Sequence, residues 1–255
     1  MLRNVVLGAS ARLAASLVTC LAALVAPAVA ADRAEIAFLG YDQAGSYFAF
    51  EEYGIHDGSG AAFSSIYVVD LAADKWVYGV PFSVDATRDD DPEARPLSQV
   101  RREALAKADD KLRQLDIGWP VQILALNGDG EHGDRRSVGF WTPGCCGADA
   151  DDGDKFTVTL TTTPVAKPSE MCVSVASAET PIVGYTLRFT TPEGTRTVHA
   201  DGDTLPKSRG CTLDYGIYAI VGAAASGGSR LAIIASSPFG FEGPDRRFLA
   251  VPLDR

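Results

Sequence analysis

Two neighbouring glutamates, Glu51 and Glu52, end an aromatic run, Tyr47-Phe48-Ala49-Phe50, and a glycine-rich loop with His56 and Asp57 follows them. In an extended segment successive side chains point to opposite faces, so the two glutamates cannot share one. One of them must face inward or across the loop. A second acidic loop near the other end holds Glu242, Asp245, Arg246 and Arg247. If the two segments are neighbours in the fold, Glu51, Glu52, His56, Asp57, Glu242, Asp245 and Arg246 form one candidate binding loop region. Three chemistries are open to it. The first and preferred one is a salt-bridge latch that closes the fold. The second is Ca²⁺ binding, since this hard ion takes carboxylate and loop-carbonyl oxygens. The third is an acid/base pair of the kind used in sugar hydrolysis.

Other chemistries lack their motifs. No G-x-S-x-G, S-x-x-K, H-E-x-x-H or Walker loop occurs, and no catalytic residue is assigned. His56, His132 and His199 are far apart, fall in no metal-ligand spacing and read as solvated histidines beside Gly, Asp or Glu. Asn127, Asp129 and Glu131 begin like an EF-hand, but His132 stands where Gly is required and Val138 at the twelfth position. Asp149, Asp151 and Asp154 fail the same pattern, with Leu160 at the twelfth position. Both segments read as solvated loops, and no metal site or cofactor is assigned beyond the calcium alternative.

The elements that would carry these residues are mostly short strands. Apolar or alternating runs mark strands at 35–41, 46–53, 65–71, 75–84, 121–126, 138–141, 156–162, 171–175, 215–221, 231–235 and 248–253. Segments 182–191 and 195–200 flank Pro192-Glu193-Gly194 and predict a hairpin with Gly194 at positive φ. One helix is predicted over 97–115, where Leu97, Val100, Ala104, Ala108, Leu112 and Leu115 recur every three or four positions. Pro96 and Gly118 punctuate its ends. The fold class is therefore mainly β with one amphipathic helix. Segments 45–50 and 66–71 resemble 228–233 and 248–253 in pattern and interval, as two strand–long loop–strand units near the two ends. Such units can be neighbouring blades where a propeller ring closes, so the arrangement predicted is propeller-like, of about five blades at roughly 40–45 residues each. A β-sandwich is the alternative.

Residues 1–30 read as a cleaved signal peptide. Arg3 and Arg12 give a positive start, 13–25 is an uncharged apolar stretch, and Ala28-Val29-Ala30 supplies small residues before Ala31. The apolar stretch is shorter than the roughly 20 residues that span a membrane, and no later segment qualifies, so no stable membrane insertion is predicted. A lipoprotein-like reading of Leu17-Val18-Thr19-Cys20 is weakened by Thr19 and by the apolar run that continues past it. Removal of residues 1–30 leaves a single mainly-β domain over 31–255. The full chain has 23 Lys+Arg against 33 Asp+Glu, a net charge of −10. Loss of Arg3 and Arg12 makes it −12, which argues against nucleic acid as a partner. Export places the chain in an oxidising compartment, so Cys145, Cys146, Cys172 and Cys211 are disulfide candidates. A bridge between neighbours is strained, and the less strained expectation joins one of Cys145 and Cys146 to Cys172 and the other to Cys211.

The stretch from Phe38 to Leu71, containing Gly45-Ser46-Tyr47-Phe48-Ala49-Phe50-Glu51-Glu52-Tyr53-Gly54, resembles a family of predicted secreted bacterial proteins of unknown function. Gly240-Phe241-Glu242-Gly243-Pro244-Asp245-Arg246-Arg247-Phe248 is similar to that family's closing signature, and the helix at 97–115 sits where that family has one. The resemblance implies export in a Gram-negative cell and no particular activity. The same N-terminal stretch also resembles a blade of the TolB-type propellers. The reading reached from sequence is a periplasmic, non-catalytic binding or interaction module with a protein or cell-envelope component as partner. Its alternatives are a calcium-stabilised structural module and a carboxylate-based hydrolase.

Overall fold

A computed structural model describes residues 31–128, 135–142, 154–177, 179–224 and 229–254. The signal-peptide segment, Cys20, His132, Cys145 and Cys146, and most of the two EF-hand-like loops lie outside these residues. Among the described residues the chain is mainly β, in three antiparallel sheets. The first contains β1 (Glu35–Tyr41), β2 (Tyr47–Ile55) and β3 (Ala62–Asp70), with β4 (Lys75–Trp76) and β5 (Phe82–Asp85) both on the far edge of β3. The second runs β10 (Gly194–Ala200), β9 (Val183–Thr191), β8 (Asp154–Pro164), β7 (Ser137–Thr142). The third runs β13 (Arg247–Pro252), β12 (Arg230–Pro238), β11 (Thr212–Ala223), β6 (Val121–Leu126).

The third sheet is the middle layer, and its sequence shows why. In β12, Leu231, Ile233 and Ala235 face one way and Ala232 and Ile234 the other, and all five are buried. An apolar run without polar alternation is what a strand covered on both faces requires. Leu231 and Ile233 pack with Phe48, Phe50, Phe63 and Val69 of the first sheet. Ala232 and Ile234 pack with Phe156, Leu160, Tyr185, Leu187 and Phe189 of the second. On β11 the period slips. Ile217 pairs with Ile234 but Ala219 with Ile233, so Tyr218 is an inserted residue. That bulge moves Ile217 and Ala219, two positions apart, into different cores.

Helix α1 (Leu97–Gln114) covers the outer face of the first sheet. Its Val100, Ala104 and Ala108 are fully buried against Ala61, Ala62, Ile66 and Val84. Two alanines at the contact let the helix sit close to the sheet. The predicted helix is thus present to within a residue, with Pro96 as its N-cap. The 183–200 hairpin is also present, with Gly194 at φ 143°.

The propeller-like arrangement is not confirmed: the sheets stack in series through shared cores. Two strand expectations are corrected. The predicted strand at 75–84 is two pieces on one edge, separated where Gly79 takes φ 95° and Pro81 has no N–H to give to a ladder. The predicted strand at 171–175 is mostly the short helix α2 (Glu170–Val173), closed by the Cys172 and Val173 amides on the Ser169 carbonyl at 2.8 and 3.1 Å. The repeat-like segments form two hairpins, β2–β3 and β12–β13, which face each other across one core.

Cys172 and Cys211 are bonded to each other, not each to one of the adjacent pair. The bridge ties α2 to the segment entering β11, and 39 positions separate the two cysteines. Loop-closure entropy over that length corresponds to about 4 kcal/mol. Replacing both cysteines by alanine should lower the unfolding free energy by roughly 2–4 kcal/mol, measured by urea denaturation under oxidising conditions.

Candidate functional site

The face alternation of β2 separates the two glutamates as the sequence requires. Glu51 points outward to α1. Arg101 grips it through Nε at 2.9 Å and Nη2 at 2.8 Å, and the Ser64 hydroxyl donates to it at 2.9 Å. The Arg101 guanidinium also lies 3.6 Å from the Tyr53 ring centroid. Glu52 points inward to the middle sheet and is only 3% exposed. It accepts a short hydrogen bond from the Phe248 amide of β13 and one from the Tyr67 hydroxyl. Burial pushes its carboxyl up to about 7, against the opposing pull of the Phe248 amide, the Arg247 charge and Tyr67. The same burial, with Glu52 beside it, raises the Tyr67 hydroxyl.

Next to Glu52 the two ends of the described chain meet. Arg246 is 6% exposed. Its Nε donates to the Ala34 carbonyl at 2.7 Å and its Nη2 to Glu35 at 2.6 Å. Its backbone N–H donates to the Asp32 carbonyl at 2.9 Å. The Asp32 amide in turn donates to Asp245 Oδ1 at 3.1 Å. The Asp32 carboxylate accepts a short bond from His56 Nδ1 and the Asp57 amide at 2.9 Å, with Arg247 Nη2 at 3.8 Å. Burial alone would raise Asp32, but the His56 and Asp57 hydrogen bonds and the charges of His56 and Arg247 hold it below the usual value. Asp245 is held above the usual value, by burial first and then by Asp32. The other imidazole nitrogen of His56 is 3.4 Å from Asp85 Oδ1, and its ring lies 4.6 Å from that of Phe63.

Of the predicted residues, Glu52, His56, Asp245 and Arg246 therefore converge, and Asp57 joins through its backbone. Glu51 is turned to the helix. Glu242 is exposed and does not join. His56 and His199 are not solvated side chains: each is about four-fifths buried and paired with an aspartate. Asp32, Asp85, Arg101 and Tyr67 were not singled out by sequence. Tertiary contacts alone bring Asp32, Asp85 and Tyr67 to this junction and set Arg101 on Glu51 at the other face of the sheet.

A groove runs from this junction along the first and third sheets and reaches Tyr185 and His199 of the second. Three adjoining clefts of about 300, 280 and 370 Å³ make it up. Glu52, Tyr67 and Arg247 line the first two, and Trp76, Ser208, Arg209 and Leu249 the last two. Each cleft is near the lower size of small-molecule sites. Trp76 is 41% exposed and lies 5.0 Å from the Tyr67 ring. At the far end Arg209 lies 3.8 Å from Asp201, which accepts His199 Nε2 at 3.0 Å and the Tyr185 amide at 2.9 Å. The Arg209 guanidinium packs 5.1 and 5.7 Å from the rings of Tyr185 and Tyr215. Among the described residues, no three His, Cys, Asp or Glu side chains are placed to hold a metal ion. No helix among them is long and apolar enough to cross a membrane.

The fold and groove define a layered antiparallel β protein with a charged cleft running along its sheets. Residues 49–254 match the family model described as predicted secreted protein (DUF2259), and the chain belongs to that family. No curated protein and no solved structure gives a significant match.

Two outcomes test this geometry. Arg246→Met keeps most of the side-chain volume but leaves the Ala34 carbonyl and Glu35 without their donor, and should lower stability by about 2–4 kcal/mol in urea unfolding. Glu52→Gln keeps an oxygen for the Phe248 amide and removes the ionisation. A carboxyl raised from 4.5 to about 7 in the fold stabilises at low pH, and that contribution is lost as pH rises through this window. The variant should therefore gain on the wild type between pH 4 and 8, by up to about 3 kcal/mol, read from paired denaturation curves.

Proposed function

We propose that this chain is an exported, non-catalytic binding module of the bacterial periplasm, and that its groove takes a cell-envelope component. The observation that carries this reading is the groove itself. It sets an exposed tryptophan and two anchored arginines, Arg209 and Arg247, along one open channel of a protein whose net charge is −10. Anchored guanidiniums and a rigid aromatic ring supply contact at low ordering entropy, which is what binding surfaces use. The acids best placed by sequence for hydrolysis are otherwise engaged. Glu51 is held by Arg101 on one face of the sheet, and Glu52 by a backbone amide on the other. Membership of a family of predicted secreted proteins supports the export half of the reading.

Co-sedimentation tests it. The purified chain should pellet with one envelope fraction, either peptidoglycan sacculi or outer-membrane vesicles, and Trp76→Ala should reduce the pelleted fraction at least fivefold. Retention of the wild-type chain in the supernatant with every fraction would overturn the reading.

A further inference from the structure

We propose that the middle cleft binds one unit of an acidic saccharide, with the sugar's carboxylate on Arg209 and Arg247 and its ring against Trp76. This deepens the binding reading and rests on it. The cleft of about 280 Å³ is lined by Glu52, Trp76, Lys207, Ser208, Arg209 and Arg247 among others, and is of a size for a single ring.

Three features select the ligand. The first is charge. Three cations line one cleft against one carboxyl, Glu52, whose proton is held up to about pH 7 by burial. The second is the form of that charge. Each arginine already has an aspartate behind it: Asp201 is 3.8 Å from Arg209 and Asp32 is 3.8 Å from Arg247. The arginines therefore offer planar hydrogen-bonding forks without a large excess of positive charge. A fork matches a carboxylate bidentately, and the moderated charge suits a monoanion better than a phosphate dianion. The third is the wall. The Trp76 ring is exposed and propped on Tyr67, so it presents an apolar platform to the C–H face of a pyranose, while Ser208 and Lys207, which line the same cleft, offer hydroxyl and ammonium groups to sugar oxygens.

The forks are also fixed before any ligand arrives. Arg209 is stacked on Tyr185 and Tyr215 and accepted by the Tyr215 hydroxyl at 3.3 Å, and Arg247 lies 4.8 Å from the Phe63 ring centroid. The disulfide at Cys211 ties down the segment just after Arg209. Side chains ordered in advance lose less entropy on binding.

Isothermal titration of the purified chain with trigalacturonate, maltotriose and glucose 6-phosphate tests the assignment. Trigalacturonate should bind, with maltotriose and glucose 6-phosphate at least tenfold weaker. Trp76→Ala should weaken trigalacturonate at least tenfold and Lys207→Ala threefold or more. Both side chains are exposed, and unchanged circular dichroism would show that the variants fold. Arg247→Lys, which keeps the charge but loses the fork, should weaken the acid more than maltotriose. Equal binding of maltotriose would overturn the carboxylate role. Tighter binding of glucose 6-phosphate would make the cleft a phosphate site instead. Binding unchanged in Trp76→Ala would place the sugar elsewhere. If no probe binds while the chain still pellets with an envelope fraction, the saccharide assignment falls and the binding module stands. If neither occurs, both fall.

Discussion

The structure depends on the joint where residues 32–35 meet residues 245–248. Arg246 is almost wholly buried there, and a buried guanidinium is tolerable only when its donors are matched. The Ala34 carbonyl and Glu35 match them from a segment more than 200 positions away in sequence. Asp32 completes the joint, because a single residue accepts from Arg246, His56 and Asp57 and donates to Asp245. Exposed ion pairs such as Arg113–Asp110 contribute a few tenths of a kcal/mol by comparison. The joint fixes β13 against β2, and this contact places Arg247 over the groove.

Around that joint the hydrophobic effect supplies the bulk of the stability. Each buried Phe, Ile or Leu of the middle sheet contributes roughly 1.5–3 kcal/mol. Leu231, Ile233, Ile234 and Ile217 meet partners on both sides of that sheet. The consequence for function is rigidity. Arg247 stands on β13, whose neighbours Phe248 and Val251 are core, Arg209 sits in the short turn 207–209 packed on Tyr185 and Tyr215, and Trp76 lies on the two-residue edge strand β4 against Tyr67. Gly40 makes one further tie. With φ at 134°, it brings its backbone close enough to Trp119 that a Cβ would sit 2.7 Å from the Trp119 carbonyl, and Tyr41 then exchanges backbone hydrogen bonds with residues 118 and 119.

What was legible in the sequence is what short-range periodicity carries. The helix at 97–115 follows from spacing, and the hairpin expected over 182–200 from the turn residues Pro192-Glu193-Gly194. The separation of Glu51 from Glu52 was legible too, since it needs only the two-residue period of a strand. The convergence of Asp245 and Arg246 with the β2 loop was readable through the similarity of the two end hairpins. The remainder was hidden for particular reasons. Asp32 lies next to the expected cleavage point, where no pattern marks it as structural. Arg101 reaches Glu51 across 50 positions from a helix that looks ordinary in sequence. Tyr218 reads as one more apolar strand residue, yet as a bulge it decides which core each neighbour enters. Trp76, Arg209 and Arg247 come from three segments without a shared motif, and only the stacking of sheets turns them into one wall.

Native-state hydrogen exchange is the most direct test of the central claim that the joint is part of the cooperative core and holds the groove. The account predicts that the amides of Arg246, Phe248 and Asp57 exchange only through global unfolding, at the same free energy as the amides of β11 and β12. Exchange of those three amides by local opening, several kcal/mol below the core strands, would contradict it.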